Sequence, residues 1–271
     1  MARLARISLL LLVLLAGPVI RVRAQDVPAS PLYYGPLAFP IPDIEDAALC
    51  GDMKAKVAGD FYRSKSGDNT FGLYLELDVP LFTSRAHFKV WYPMVEWYKA
   101  GGATKHMFGD VNLSVYFSPL IESKHWLNFG LRAAIKTASG GAADLRYYDA
   151  PGYFFDGTFS KTINFRNKEV KGLRIALNAG FLCWQTGPRE QNDAVMYGAQ
   201  LKLLAEHFTF GVTYSGYVGW QKNGDVPMSL KIDLALHFGR WEPFLRYQEG
   251  FKDYPYRQVR VGLAYNLPLF K

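Results

Sequence analysis

The fold class is decided by Gln258-Val259-Arg260-Val261-Gly262-Leu263-Ala264-Tyr265-Asn266-Leu267-Pro268-Leu269-Phe270-Lys271. As far as Leu267 its odd-numbered residues are apolar, whereas its even-numbered residues are polar or small. A period of two places successive side chains on opposite faces of a β-strand. A strand with one apolar and one polar face fits two kinds of protein, a membrane β-barrel and a soluble β-sandwich.

The rest of the chain repeats this alternation. The runs that precede the quoted stretch are 53–61, 71–79, 86–97, 110–117, 127–136, 156–165, 173–183, 195–203, 208–215, 229–238 and 241–249. Short connections near 81–85, 122–125, 166–169, 205–207 and 239–240 alternate with longer ones near 64–70, 99–107, 138–155, 185–193, 221–228 and 250–257. Outer-membrane barrels have an even number of strands, short periplasmic turns and longer outer loops. The pattern therefore predicts an all-β, transmembrane, antiparallel up-and-down β-barrel of about twelve strands over residues 51–271.

Two segments precede the predicted barrel. Arg3 and Arg6 come before an apolar run, 7–16, that is too short to span a bilayer as a helix, so residues 1–24 are interpreted as a secretory signal peptide. Four arginines lie in this segment, and its removal lowers the formal net charge from +7 to +3, which weakens any case for nucleic-acid binding. Residues 25–50 are rich in proline, which predicts an extended lead-in or a plug in the barrel mouth, with the lead-in favoured.

The chain has two cysteines, Cys50 and Cys183, which is too few for a disulfide scaffold. A bridge between them is one alternative. Two unpaired thiols are the expectation, because Cys183 falls in an outward register and Cys50 precedes the first strand.

The two faces of the predicted strands have different chemistry. One is nearly all apolar, as a lipid-facing surface must be. The other carries charged and titratable residues that we expect to line a wet lumen: Lys54, Lys56, Asp60, Glu76, Asp78, Lys89, Asp110, Arg132, Lys136, Arg174, Lys202, Lys231, Asp233, His237, Glu242, Arg246 and Arg260. Twelve strands enclose more space than the roughly 8 that side chains alone can fill and less than the roughly 16 of open porins. The basic excess predicts a narrow channel with a mild preference for anions, and the alternative is that opposite charges pair and seal the barrel.

The longest predicted outer loop, 138–155, is rich in aromatic residues. We expect a constriction or a contact with a hydrophobic ligand from Arg146, Tyr147, Tyr148, Tyr153 and Phe154. The alternative for the tyrosines is an aromatic belt at the lipid headgroups.

Two motifs carry a family resemblance. Phe108-Gly109-Asp110-Val111-Asn112-Leu113-Ser114 and Gly130-Leu131-Arg132-Ala133-Ala134-Ile135-Lys136-Thr137-Ala138-Ser139-Gly140 resemble strands of the outer-membrane family named for meta-pathway phenol degradation. The likeness extends loosely over 108–270. It implies a barrel that passes hydrophobic or aromatic small molecules.

The functional expectation is an outer-membrane channel or transporter for small molecules, hydrophobic or anionic. The alternative is a closed barrel with a structural or surface-interaction role. An enzyme is not expected, because the histidines His87, His106, His125, His207 and His237 lie in no recognisable catalytic motif. Neither a cofactor nor a metal is expected. The expected partners are outer-membrane lipid and lipopolysaccharide, the barrel-assembly machinery and a small solute, and nucleic acid is not among them.

Overall fold

The protein is represented by a computed structural model that describes residues 35–270, except 66, 68, 101–102, 141–150, 168, 188–189 and 223. The expected signal peptide, 1–24, lies outside this range. The strands are β1 (Asp52–Ser64), β2 (Asn69–Pro80), β3 (Ala86–Ala100), β4 (Ala103–Met107), β5 (Asn112–Leu120), β6 (Asn128–Lys136), β7 (Gly152–Asn164), β8 (Val170–Gly187), β9 (Glu190–Ala205), β10 (Phe208–Gly219), β11 (Pro227–Leu236), β12 (Trp241–Lys252) and β13 (Tyr256–Pro268). Within the described residues, no helix has the length and apolar character needed to cross a membrane.

The strands form one closed antiparallel barrel. Successive strands pair with each other except β4 and β5, and β1 pairs with β13, which closes the ring. The strands β4 and β5 both pair with β3, one along each half of it, so they are two parts of one wall strand interrupted at residues 108–111. The ring therefore has twelve wall strands, and the predicted up-and-down barrel is confirmed.

The C-terminal stretch closes the ring in the predicted register. Gln258 lies opposite Tyr62 of β1, and Leu267 lies opposite Met53. Its two faces differ sharply, since Val261 is 58% exposed on the outer face and Ala264 is fully buried on the lumen side. Among the described residues, β4 alone pairs on one side only, with β3, and every other strand has a hydrogen-bonded partner on both sides, so the backbone of the wall is almost entirely paired.

The two ends of the barrel differ in their connections. We call the end where β1 begins and β13 ends the near end, and the opposite end the far end. The near-end turns are short, as predicted. At the far end, the loops expected near 99–107, 185–193 and 250–257 are mostly strand, because the paired strands on each side extend further than the sequence pattern predicts. The longest far-end connection is 137–151, between β6 and β7.

The outer face is an apolar belt. Leu177, near the middle of β8, is 58% exposed, and aromatic residues such as Trp220 and Trp241 lie where strands end. Lys161 is an exception on this face, where it lies in the same register as Phe159 and Ile163 of β7. Its Nζ donates to the carbonyl oxygens of Ser123 and Trp126 in a near-end turn, at 2.6 and 2.7 Å, so its charge lies at the rim of the belt.

Residues 35–50, which we call the inner segment, run along the lumen. At the far end the Tyr254 hydroxyl donates to the Pro36 carbonyl at 3.1 Å, and at the near end His87 Nε2 lies 2.8 Å from the Cys50 carbonyl oxygen. Phe39 is 1% exposed. Residues 35–50 thus lie inside the barrel, in the position of the plug that was the other interpretation of 25–50, because lumen side chains supply the hydrogen bonds and the packing that a proline-rich chain cannot obtain from a ladder. Residues 25–34 lie outside the described part.

The cysteines form no bridge. Cys50 is exposed beside the near end, whereas Cys183 is buried in β8. Cys183 keeps the outward register predicted for it, opposite Tyr153 of β7 and Asp193 of β9.

Candidate functional site

The far half of the lumen is filled by apolar and aromatic side chains. Phe39 of the inner segment meets the Trp184 ring edge-on, with the ring centroids 6.5 Å apart. The buried cluster around this contact consists of Leu37, Ala38, Phe39, Ile41, Tyr62, Tyr98, Met107, Leu182, Trp184, Ala194, Met196, Tyr217, Tyr254 and Tyr256. The inner segment thus completes an apolar core inside the barrel, and this core fills the far half.

Below this core the inner segment changes to Asp43-Ile44-Glu45-Asp46. The Asp43 carboxylate accepts from Lys231 of β11 at 2.5 Å and from Arg246 of β12 at 2.7 Å. Arg246 also donates to the wall residue Asp233 at 2.6 Å. Asp43 therefore connects the inner segment to two neighbouring wall strands.

Glu45 connects to the opposite side of the ring. Its carboxylate lies 2.5 Å from Lys89 Nζ of β3 and 3.4 Å from Arg132 Nη1 of β6. Arg132 also binds the wall carboxylate of Asp156 at 2.7 Å and donates to the Asp43 carbonyl oxygen at 2.8 Å. The Arg132 guanidinium in addition lies 4.8 Å from the centre of the Phe154 ring. Arg132 thus holds both the side chain and the backbone of the segment.

Asp46 completes the set. Its Oδ2 accepts from Arg174 of β8 at 2.8 Å and lies 3.2 Å from Lys202 Nζ of β9. Among the described residues, no other carboxylate lies within 4.0 Å of either base. Three carboxylates of the inner segment therefore contact six bases on six different wall strands.

The lumen charges shift the acidity of the inner segment. Burial alone would raise the pKa of Asp46, but the charges of Lys202 and Arg174 outweigh burial and lower this pKa to about 2. Burial likewise opposes ionisation of Asp43, and the charges of Arg246 and Lys231 hold its pKa well below the usual value. Both carboxylates are therefore ionised at neutral pH, so the contacts to the wall are ion pairs.

The near half of the lumen contains a cavity of about 410 Å³. The inner segment forms one side of it through Asp43, Glu45 and Asp46. Wall residues of both signs form the rest, including Lys56, which pairs with Glu76 at 2.6 Å. A cavity of about 90 Å³ lies beside the more apolar part of the segment, next to Trp91 and Trp184. The larger space is thus polar and adjoins the ion pairs just described.

The other predicted lumen residues mostly pair with one another. Arg260 donates to the Asp60 carboxylate from Nε at 2.5 Å and from Nη2 at 2.7 Å, and Lys136 Nζ lies 2.5 Å from Asp110 Oδ2 with both side chains buried. The remaining contacts are Lys54 with Glu242, Lys89 with Glu76, His87 with Asp78, and His237 with Thr209 and Glu242. Much of the wall charge is therefore neutralised across the strands, in line with the alternative that the sequence left open.

Of the five residues expected to form a constriction, the structure describes two, Tyr153 and Phe154. Arg146, Tyr147 and Tyr148 lie outside the described residues. Tyr153 belongs to β7 and is 40% exposed on the outer face, so its expected place in a constriction is wrong, since alternation points it away from the lumen. Its neighbour Phe154 packs against the buried core from the lumen side.

The sequence reasoning missed the acidic residues of the inner segment. Asp43, Glu45 and Asp46 cluster in an otherwise apolar, proline-rich stretch, and this contrast with the basic lumen was the available signal. Asp156, the first residue of the predicted run 156–165, was also missed.

No protein-family model matches the sequence, and no curated protein matches it. The resemblance to the family named for meta-pathway phenol degradation thus stays a prediction.

Solved structures do match. The COG4313 outer membrane channel from Pseudomonas putida F1 superposes with a TM-score of 0.60 at 10% identity, over 84% of this chain and 100% of that chain. The NanC porin gives 0.53 at 10% identity, over 79% and 100%. The KdgM porin in complex with disordered oligogalacturonate gives 0.52 at 9% identity, over 79% and 99%. At these identities the likeness concerns the fold, and this chain shares the barrel fold of outer-membrane channels and porins.

Proposed function

We propose that the protein is an outer-membrane channel for small solutes whose lumen is occupied at rest by the inner segment. The observation that carries the proposal is the contact of Asp43, Glu45 and Asp46 with six basic side chains around the ring. A segment that serves only to fill the barrel needs apolar packing, as at Phe39. Ion pairs can be replaced by contacts with water and dissolved ions, so they suit a segment that can leave the lumen.

The chemistry of the lumen favours anions. Without the inner segment, bases that now bind its carboxylates would face the lumen, and a ring of such charges attracts anions and repels cations. Two structural neighbours are named as porins, and one of them is recorded with oligogalacturonate, a ligand that carries carboxylates. This supports small anionic solutes as the class that passes.

A second candidate is a channel for hydrophobic solutes. The aromatic core around Trp184 and the cavity beside Trp91 favour it, as does the resemblance to the family named for meta-pathway phenol degradation. A solute of this class would replace Leu37 and Phe39 instead of the carboxylates.

The proposal also assigns roles to the apolar belt and to residues 1–24. The exposed apolar belt would lie in the outer-membrane lipid with lipopolysaccharide on one side, and the barrel-assembly machinery would insert it. Residues 1–24 would be the signal peptide that directs export. We propose no catalytic role.

The test is planar-bilayer conductance of the refolded protein with and without residues 35–50. Heat-dependent mobility on a gel would verify that both forms contain a folded barrel. We expect rare or small openings for the full chain and a larger, steady, anion-selective current for the deletion. If neither form conducts, the closed barrel with a structural role is the better account. A current that prefers cations would contradict the anionic class.

A further inference from the structure

The six bases that contact the inner segment form three pairs of the same composition. Each pair consists of one arginine and one lysine from different wall strands, and each holds one carboxylate of the inner segment. The pairs are Lys231 with Arg246, Lys89 with Arg132, and Lys202 with Arg174. An arginine offers a planar fork that matches a carboxylate, whereas a lysine adds a compact charge.

We propose that these three pairs are binding sites for a linear polycarboxylate solute, and that Asp43, Glu45 and Asp46 occupy them as an intramolecular substitute for it. This inference rests on the channel function proposed above, and it names the solute class and the residues that select it.

Burial supports the assignment of built sites. The side chains of Arg132 and Lys231 are only 4% and 3% exposed. A cation that is largely removed from water is costly unless an anion lies beside it. Among the described residues, Lys231 has no carboxylate within 4.0 Å other than Asp43. When the inner segment leaves, Lys231 loses this carboxylate and becomes available to another anion.

The third pair strengthens this point. Asp46 is the carboxylate that neutralises both Arg174 and Lys202 within the described part of the chain. Arg132, Arg246 and Lys89, in contrast, keep a wall carboxylate nearby, in Asp156, Asp233 and Glu76 respectively. Departure of the segment therefore leaves unbalanced charge in two places, at Lys231 and at the Arg174–Lys202 pair.

Spacing defines the kind of solute. A chain advances at most roughly 3.3–3.6 Å per residue, so the backbone from residue 43 to residue 46 spans at most roughly 11 Å. A linear molecule with two or three carboxylates over this length can occupy several pairs at once. A monocarboxylate can occupy one pair only. The 410 Å³ cavity, which Lys89, Lys202 and Arg246 help to line, gives such a solute space beside the segment before it displaces the segment.

The experiment uses triaspartate as the probe and triasparagine, which has the same shape and the same charged termini but no side-chain carboxylates, as its counterpart. The protein is the barrel without residues 35–50. The full chain carrying Asp43→Asn, Glu45→Gln and Asp46→Asn is the second form, in case the deletion does not fold. Two readouts are taken, the block of ionic current and the melting temperature of the barrel, because a ligand that binds the folded state raises its melting temperature.

We expect triaspartate to block current, and to raise the melting temperature, at concentrations at least tenfold below those of triasparagine. Replacing Arg174 and Lys202 together by glutamine should remove most of this selectivity. The control Lys54→Gln should keep it, because Lys54 faces the same lumen but pairs with the wall residue Glu242.

The two proposals fail in different ways. If the barrel conducts but both probes act equally, the polycarboxylate sites are refuted and the channel stands. If it does not conduct but triaspartate alone raises the melting temperature, the sites stand and the channel function is refuted.

Discussion

Asp46 Oδ2 lies 2.8 Å from Arg174 Nη1, although the two residues are 128 positions apart in the chain. This contact, together with the one to Lys202, fixes the end of the inner segment that leads into β1. The segment is thus held at its far end by apolar packing and at its near end by ion pairs. Substitutions at the ion pairs and in the apolar packing should therefore have different effects.

The first prediction concerns the charged attachment. Asp46→Asn removes a carboxylate that hydrogen-bonds a cation, a loss of about 1–3 kcal/mol. Since 1.4 kcal/mol is a factor of ten in an equilibrium, we expect roughly a tenfold rise in the fraction of open channels. Single-channel recording measures this fraction. Glu249→Gln is the control, because Glu249 pairs with the exposed Arg257 away from the inner segment. Equal open fractions in the two variants would contradict the role given to Asp46.

The second prediction concerns the apolar attachment. Phe39→Ala removes a ring that is 1% exposed beside Trp184, and such truncations cost about 3–5 kcal/mol in protein cores. We expect faster hydrogen exchange in the inner segment, with strand amides still protected, because the ladder of the wall does not depend on this ring. Phe82→Ala is the control, since Phe82 is 96% exposed in a near-end turn. Faster exchange throughout the wall would show instead that the segment is needed for the barrel itself.

The third prediction is a pH dependence of the inner segment. Its Asp46 has a pKa of about 2 in the lumen, against 3.8 for a free aspartate. A carboxyl with a lowered pKa stabilises the docked segment fully above pH 3.8 and loses this contribution as the pH falls towards 2. The conductance of the full chain should therefore be constant from pH 8 to about 4 and rise below that.

The same titration should vanish when the carboxylates are removed. The variant with Asp43→Asn, Glu45→Gln and Asp46→Asn should be open at all these pH values. A rise that begins between pH 5 and 7 in the full chain would point to a histidine instead.

The fourth prediction concerns the outer face. Leu177→Arg places a charge near the middle of the apolar belt, where lipid-facing arginine costs about 2–4 kcal/mol, so insertion into bilayers should fall. Trp220→Arg places the same charge beyond the far end of β10, where the cost falls to about 0–1 kcal/mol. Folding yield into lipid vesicles measures both. Equal yields would mean that the belt does not lie in lipid as proposed.

The wall strands of the barrel could be predicted from the sequence because alternation depends only on residues that are adjacent in the chain. Alternation at Gln258–Leu267 assigns each side chain to a face, and the same rule located the lumen bases Arg132, Lys202 and Lys231. Strand ends were less predictable. The stretch 185–193 contains polar residues and Gly187 and Pro188, which suggest a loop, yet β8 and β9 extend into it as a hairpin.

The inner segment could not be predicted in the same way. Its prolines prevent a regular hydrogen-bonding pattern, so no period indicates which way a side chain faces. Its partners are also distant in sequence, since Asp43 and Arg246 are 203 positions apart. The acidic residues could have suggested a basic partner, but not which of the lumen bases would be chosen.

The connection between the inner segment and the wall is short. Residues 47–51 alone separate Asp46 from the start of β1 at Asp52. A tether of this kind gives its end a local concentration in the millimolar range or above. A free solute that binds each site equally well must reach a comparable concentration to compete. An abundant solute would therefore displace the inner segment, whereas a scarce one would not. The length of this connection thus sets the solute concentration at which the barrel opens.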